Sequence, residues 1–330
     1  MPVQRDHAAS SPDAKFPVLV IMGPTASGKS RMAMAVATRV RGEILSVDAL
    51  KVYRGMDAGT AKPGLGERDA IPHHGIDLVE PHEEFSVAEF LDYAEPLLAD
   101  IVKRGNVPVL DVTAPYYLKA LVYGIDRGPG PNPQFRAAMD RMPAAELAAI
   151  LLKDDPAAAQ RIGPADKKRL VRALEMIKFG RKLPSEVKQW GQPRADYRWI
   201  FTGIRWPREI LYDRVRQRGQ AMFDAGWLDE VQRILAAGGF SGTSGKAHGY
   251  RRIQQYLQGA LTWQECVDQT VRDVKQFARK SMTFFKGFPR VQWLDVSSET
   301  EIDRGSMYLA QEIKDMLKQC GHERPMVDLP

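Results

Sequence analysis

A chain of 330 residues with 44% hydrophobic and 27% charged side chains has the composition of a globular protein, which excludes disordered and fibrous classes. No apolar run approaches the roughly 18 residues that a membrane span needs, and the first fifteen residues (MPVQRDHAASSPDAK) lack the apolar core of a secretory signal. The net charge of +6 is divided unevenly, residues 1–160 carrying −4 and residues 161–330 carrying +10, so the second half is expected to face something anionic.

Cys266 and Cys320 stand far apart and outside any C-x-x-C or Cys/His cluster, which speaks against structural zinc and a disulfide framework. A cytoplasmic protein is expected, with no membrane partner. The absence of a heptad seam makes a monomer the default. The length suits one α/β core carrying an inserted lobe.

Residues 16–22 (FPVLVIM) form an apolar, β-branched run that stops at Gly-Pro and reads as a buried strand of a parallel sheet. Ser30–Val40 reads as a helix, Gly42–Val47 as a second strand, Ser86–Arg104 as a helix and Val107–Val112 as a third strand. Strands separated by helices of this length mean right-handed βαβ units. Past Tyr123 the Gly/Pro-rich stretch IDRGPGPNPQ introduces helices at Phe135–Met142, Ala144–Lys153 and Asp166–Lys178. The expected organisation is a flexible N-terminus (1–15), a core (16–126 and 199–300), a helical insertion (127–198), and a peripheral helix and tail (301–330). Within the second part of the core a returning strand is read at 199–206, helices at 207–237, 249–258 and 262–286, and a last strand at Val291–Asp295.

Between the first strand and the first helix lies Gly23-Pro24-Thr25-Ala26-Ser27-Gly28-Lys29-Ser30, which satisfies G-x-x-x-x-G-K-[ST] in the context that this P-loop motif requires. Gly23 and Gly28 let the backbone N–H groups approach phosphate oxygens, the helix adds its positive end, Lys29 supplies a point charge and Ser30 a hydroxyl for Mg²⁺. The fold expected is therefore α/β, a P-loop NTPase-like parallel sheet flanked by helices with a helical insertion domain. The loop alone leaves open whether the anion is a nucleoside triphosphate or another diphosphate. His73 and His74 are adjacent in an extended segment and point opposite ways, so a structural role is expected of them.

The segment Ser46-Val47-Asp48-Ala49-Leu50-Lys51-Val52-Tyr53-Arg54-Gly55-Met56-Asp57-Ala58-Gly59-Thr60-Ala61-Lys62-Pro63 resembles the signature that follows the P-loop in tRNA dimethylallyltransferases (tRNA isopentenyltransferases). Pro72–Asp77, Ser86–Phe90, Arg172–Glu175, Gly226–Val231, Gly249-Tyr250 and Gln276–Lys280 resemble further landmarks in family order. The resemblance implies transfer of a dimethylallyl group from dimethylallyl diphosphate to the exocyclic amine of the adenosine 3′ of the anticodon of tRNA, with Mg²⁺. It implies Asp48 as general base and a diphosphate held by Gly23, Thr25, Ala26, Ser27, Gly28, Lys29, Ser30 and Arg218; Thr113 is a second catalytic candidate, as a neighbour of the aligned threonine position. It also implies tRNA contacts from Asp48, Ala49, Leu50, Lys51, Ala114, Arg136, Lys168, Arg169 and Arg172.

Two segments depart from the family pattern. Asp48-Ala49-Leu50-Lys51 stands where the family has Asp-Ser-x-Gln, and a Lys51 close to Asp48 would make that carboxylate a weaker base. Asp111-Val112-Thr113-Ala114-Pro115-Tyr116-Tyr117-Leu118 stands where it has Val-Gly-Gly-Thr-x-Leu-Tyr-Leu, so gapless alignment sets Ala114 at the family's threonine. Thr113 substitutes for it only if the loop rebuilds, because one residue along an extended chain reverses the side chain. A tRNA prenyltransferase, an impaired paralogue that binds tRNA or prenyl diphosphate, and a P-loop kinase or NTPase are the readings left open.

Overall fold

The protein is described by a computed structural model over residues 15–187 and 192–321. The segment 1–14, within the expected flexible N-terminus, and the tail beyond 321 lie outside the described residues.

Six strands, β1 (Pro17–Met22), β2 (Gly42–Val47), β3 (His73–His74), β4 (Val107–Val112), β5 (Arg198–Arg205) and β6 (Gln292–Asp295), pair in parallel in the order β3-β2-β4-β1-β5-β6. Every residue of β1, β2 and β4 is buried, which explains their apolar character: helices cover both faces of a parallel sheet. From β1 the chain crosses to β2 and β4 on one side and to β5 on the other. Ligands bind at such a switch point, beyond the carboxyl ends of the strands.

Helix Lys29–Val40 starts at Gly28, whose φ of 89° is open to glycine, and turns Met32, Ala33, Val36 and Val40 onto the sheet. Helix Val87–Lys103 starts with a capping box in which Ser86 and Glu89 bond reciprocally. The run expected at 207–237 is two helices, Arg208–Asp224 and Trp227–Ala236, because Gly226 turns the chain at φ 89°. The short helices Leu65–Ala70, Pro115–Tyr123 and Pro156–Arg161, and the two-residue β3, have no counterpart in the sequence expectation; each is too short to carry a clear hydrophobic period.

The C-terminal helix runs over Glu299–Gln319, so it starts before the expected C-terminal segment 301–330, and it is not peripheral. Ile302, Leu309, Ala310, Ile313 and Met316 join Met32 and Val36 in the main core. Fully burying an aliphatic side chain of this kind contributes about 1.5–3 kcal/mol, so this helix is part of what holds the sheet.

The chain divides into two units, residues 122–194 and the remainder, so the helical insertion begins earlier and ends earlier than the expected 127–198; Arg198 and Trp199 already belong to β5. Taken by itself, the insertion packs Leu147, Leu151, Ala158, Leu170, Val171 and Leu174 into its own core. Its helices are Pro133–Asp140, Ala144–Asp154, Pro156–Arg161 and Lys167–Phe179, and Asn132, Asp155 and Asp166 cap three of them.

Candidate active site

The turn from β1 into helix Lys29–Val40 is tightly packed at both of its glycines. A Cβ on Gly23 would meet the Ile204 carbonyl at 3.1 Å, and one on Gly28 would run into the Ile302 side chain. The carbonyls, which would repel an anion, are tied back: Trp206 Nε1 donates to Ser27 O at 2.9 Å and Arg214 Nε to Ala26 O at 2.8 Å. Lys29 Nζ donates to Pro24 O at 2.9 Å, and Arg218 donates to Thr25 Oγ1 at 3.1 Å. Burial lowers the Lys29 ammonium to about 8, with Asp111 opposing that shift and Arg218 and Lys51 adding to it. Burial also lowers Arg218, against the pull of Asp111 and Asp48. Two desolvated cations beside the N-terminus of helix Lys29–Val40 make a strong anion site.

Asp48 follows β2 and is 7% exposed. Its Oδ1 accepts from the N–H groups of Leu50 at 2.7 Å and Lys51 at 3.2 Å, an Asx turn that fixes the carboxylate, while Oδ2 has no partner among the described residues. Asp48, Thr25, Lys29, Ser30, Leu50, Lys51, Thr113 and Arg218 all line one cavity of about 120 Å³.

Lys51 does not pair with Asp48, and its ammonium does not face out toward a macromolecule. Its Nζ lies 3.3 Å from Asp111 Oδ2, with both side chains buried. Ser30 Oγ donates to the same oxygen at 2.8 Å. Burial alone would raise the Asp111 carboxyl; the charges of Lys51 and Lys29 and the hydrogen bonds from Ser30 and Lys51 outweigh it and hold the group below the usual carboxylate range. Asp111 was not singled out from the sequence. What marks it is an acid in the otherwise apolar strand beside the P-loop strand, at the position where the family pattern has valine.

Thr113, not Ala114, lines the cavity. The N–H groups of Thr113 and Ala114 both donate to Val47 O, at 3.0 and 2.9 Å, so the chain turns here and the alternation of an extended strand ends. Ala49 and Ala114 are half-buried and contribute no polar side chain.

Much of the remaining wall is apolar, with Val215, Met222, Trp227, Val271, Val274 and Phe277 beside His248, and the hydroxyls of the two threonines there, Thr60 and Thr270, are turned to backbone carbonyls. Trp227 is fixed by what surrounds it. A Cβ on Gly59 or Gly249 would collide with its indole ring, and Tyr250 meets that ring edge-on with centroids 5.3 Å apart. Glu230, one helical turn further, accepts from Asp57 N at 2.8 Å, Ala58 N at 2.7 Å and Tyr250 Oη at 2.6 Å. The motif Gly226–Val231 thereby clamps the loop that carries Gly59 to the cavity. Burial lowers the His248 imidazole, against Asp273, and its ring packs 5.3 Å from that of Phe277.

In the insertion, Arg136 and Arg172 are committed to an internal brace. Arg136 bonds both oxygens of the fully buried Glu175, at 2.9 and 2.8 Å, and Arg172 bonds Glu175 Oε2 at 2.6 Å. Lys168 and Arg169, in the first turn of helix Lys167–Phe179, are both exposed; Arg169 pairs with Asp166 at 3.3 Å. His73 Nδ1 meets Ile71 O at 2.8 Å and His74 Nε2 meets Glu43 at 2.7 Å. No group of three or more His, Cys, Asp or Glu among the described residues is placed to hold a metal ion. No helix among them is long and apolar enough to cross a membrane.

The family model for IPP transferase matches residues 51–288. The chain belongs to the IPP transferase family. It is 36% identical to a tRNA dimethylallyltransferase of Anoxybacillus flavithermus over 87% of this chain and 93% of the relative. It is 38% identical to one of Leuconostoc citreum, over 84% and 93%. Among solved structures, the tRNA isopentenylpyrophosphate transferase of Bacillus halodurans is similar at 32% identity, with a TM-score of 0.67, over 92% of this chain and 98% of that one. A eukaryotic dimethylallyltransferase acting on tRNA shares the fold at 23% identity, with a TM-score of 0.77, over 91% and 79%.

Proposed function

We propose that this protein is a tRNA dimethylallyltransferase that moves the dimethylallyl group of dimethylallyl diphosphate to the exocyclic amine of the adenosine 3′ of the anticodon. The observation that carries the reading is that one cavity brings together P-loop cations, a fixed carboxylate and an apolar wall. A kinase needs the first two; an apolar wall of Met222, Trp227, Val271, Val274 and Phe277 suits a hydrocarbon group. The family's relatives named tRNA dimethylallyltransferase support the same reading.

In the proposed reaction the allylic C–O bond breaks and its electron pair goes to the diphosphate oxygen. The P-loop amides, Lys29 and Arg218 stabilise that developing charge. The adenine amine forms the new C–N bond through its nitrogen lone pair, and its proton passes to Asp48. An exocyclic amine is a weak nucleophile because its lone pair is delocalised into the ring, so a fixed base in hydrogen-bond reach lowers the barrier. Thr113 lines the same cavity and orients the amine or the diphosphate with its hydroxyl. Because Asp48 is 7% exposed, the adenosine must leave its stack to reach it.

Mg²⁺ fits this site through the Ser30 hydroxyl, an oxygen donor of the kind a hard cation takes, and would supply positive charge to the departing diphosphate. Lys168, Arg169, Arg136 and Arg172 are the insertion cations that meet the tRNA phosphates in this reading, the last two held in place by Glu175 while remaining partly exposed. Incubating unmodified tRNA with the protein, Mg²⁺ and dimethylallyl diphosphate, then analysing nucleosides by mass spectrometry, tests it. Prenylated adenosine is expected; tRNA that stays bound and unmodified at high enzyme concentration would instead favour a binding paralogue.

A further inference from the structure

Asp111 and Lys51 each replace a residue of the family pattern, valine and glutamine respectively, and the fold brings the two replacements into contact. Their closest polar atoms are 3.3 Å apart, Lys51 and Asp111 being 6% and 4% exposed. An ion pair in such a place is costly to build, since each partner loses its water. A valine opposite a glutamine carries no such cost.

The pair is also incompletely satisfied. Asp111 Oδ2 accepts from Ser30 and Lys51, whereas Oδ1 is buried and has no hydrogen-bond partner among the described residues. A carboxylate oxygen left without a donor in a buried site costs more than a neutral one, and this one belongs to the carboxylate bonded to the P-loop hydroxyl. Asp111 stands opposite Ile21 of β1 in the sheet register, near the carboxyl end of the strand beside the P-loop strand. In phosphate-transfer proteins, Mg²⁺ is held between a P-loop hydroxyl and an acid supplied by a neighbouring strand. Mg²⁺ typically takes one or two carboxylates together with phosphate oxygens.

We infer that Asp111 is a second holder of the divalent cation that accompanies the diphosphate, acting with Ser30, and that Lys51 neutralises this added acid while no cation is bound. The inference rests on the reading of the P-loop as a diphosphate site. It gives this chain an acid-assisted cation site where the family pattern has an apolar side chain. Ser30 and Asp111 would hold the cation, which would supply positive charge to the diphosphate, and Lys51, which lines the cavity, would be left free to meet the diphosphate oxygens.

The test is a titration of Mn²⁺, followed by electron paramagnetic resonance, into the full chain with inorganic pyrophosphate. Wild type, D111N, K51Q and the double variant K51Q/D111N are compared. A cation-holding Asp111 predicts that D111N weakens Mn²⁺ binding at least tenfold, that K51Q binds Mn²⁺ at least as tightly as wild type, and that the double variant is as weak as D111N. If Asp111 serves only to balance Lys51, the double variant returns to wild-type affinity, and that result overturns the inference. Unchanged Mn²⁺ binding in D111N overturns it as well. Should D111N fail to fold because it strands a buried ammonium, the comparison of K51Q with K51Q/D111N carries the test. Prenyl transfer is measured separately, so a wild type that binds Mn²⁺ and pyrophosphate through Asp111 without prenylating tRNA sinks the transferase reading and leaves this one standing.

Discussion

In the free protein the Lys29 ammonium donates to the carbonyl of Pro24 at 2.9 Å, folding the P-loop lysine back onto its own loop. A bound diphosphate has to draw that ammonium away, and it gains a nearby cation whose charge is poorly solvated. Lys29 sits at about 8, mainly because burial disfavours its charged form. It is therefore charged below that pH and loses its proton as the pH rises through it. An anion bound beside it restores the higher value, so binding takes up a proton above about pH 8 and not well below it. Calorimetry of inorganic pyrophosphate binding, in buffers of different ionisation enthalpy, is expected to report uptake approaching about one proton near pH 9. Affinity is expected to fall as the pH rises from about 8 to 10.

Thr113 lines the cavity, while Ala114 fills the aligned position of the family threonine without reaching it. T113V, which keeps the shape and removes the hydroxyl, is expected to lower kcat about tenfold to a hundredfold. Adding A114T to T113V is expected not to restore it. Single-turnover prenyl transfer by the two variants is the check, and recovery in T113V/A114T would mean that the loop presents residue 114 instead.

The sequence made β1, β2 and β4 legible, because strands buried on both faces are continuous apolar runs, and it made the P-loop legible because glycine spacing and strand-to-helix context occur together. Short pieces such as Leu65–Ala70 were not legible, lacking enough turns to display a period. The C-terminal helix read as peripheral because its apolar positions are diluted by charge; only packing of Ile302, Leu309 and Ile313 against Met32 and Val36 reveals its place. In the site, Asp48, Lys29 and Ser30 were legible from motif and resemblance. The Lys51–Asp111 contact was not, since 60 residues separate the partners, and neither was the apolar wall, which comes from helices whose inner faces look like any core. Arg136 and Arg172 entered as tRNA contacts implied by the resemblance; the i,i+3 spacing makes the Arg172–Glu175 pair legible, but the Arg136 half of the brace is not, since 39 residues separate it from Glu175.

Glu230 gathers two amides of the 57–58 turn and the Tyr250 hydroxyl on one carboxylate. E230Q exchanges one accepting oxygen for an amide that donates, beside backbone N–H groups of Asp57, Ala58 and Gly59 that only donate; the Tyr250 hydroxyl alone can turn to accept. Hydrogen bonds to a charged acceptor contribute about 1.5–3 kcal/mol each, and partial retention by the remaining oxygen keeps the expected loss of stability at about 2–3 kcal/mol. Denaturant unfolding is the check. An accompanying rise in KM for dimethylallyl diphosphate is expected, because the same turn carries Gly59 to Trp227.

Glu175 is held at about 2, since the Arg136, Asn132 and Arg172 donors overcome a burial that by itself would raise it. A carboxylate lowered in this way adds stability above its unfolded value of about 4.5, and that stability fades as the pH falls toward about 2. E175A is expected to destabilise the helical insertion by about 2 kcal/mol at neutral pH, a figure kept below that of a fully buried pair because both arginines are partly exposed. The difference from wild type should shrink on acidification. Hydrogen exchange of amides in helix Lys167–Phe179 resolves this locally, and equal protection in both proteins at neutral pH would refute it.

In the proposed prenyl transfer, Asp48 takes the proton of the adenine amine. The most direct measurement is the single-turnover rate of dimethylallyl transfer to unmodified tRNA by wild type and by D48N, with binding of tRNA and of inorganic pyrophosphate measured on the same samples. The account predicts a rate at least about 100-fold lower in D48N, with pyrophosphate binding retained, because the Asx turn to Leu50 and Lys51 can be kept by the asparagine oxygen. Transfer by D48N at the wild-type rate would contradict it.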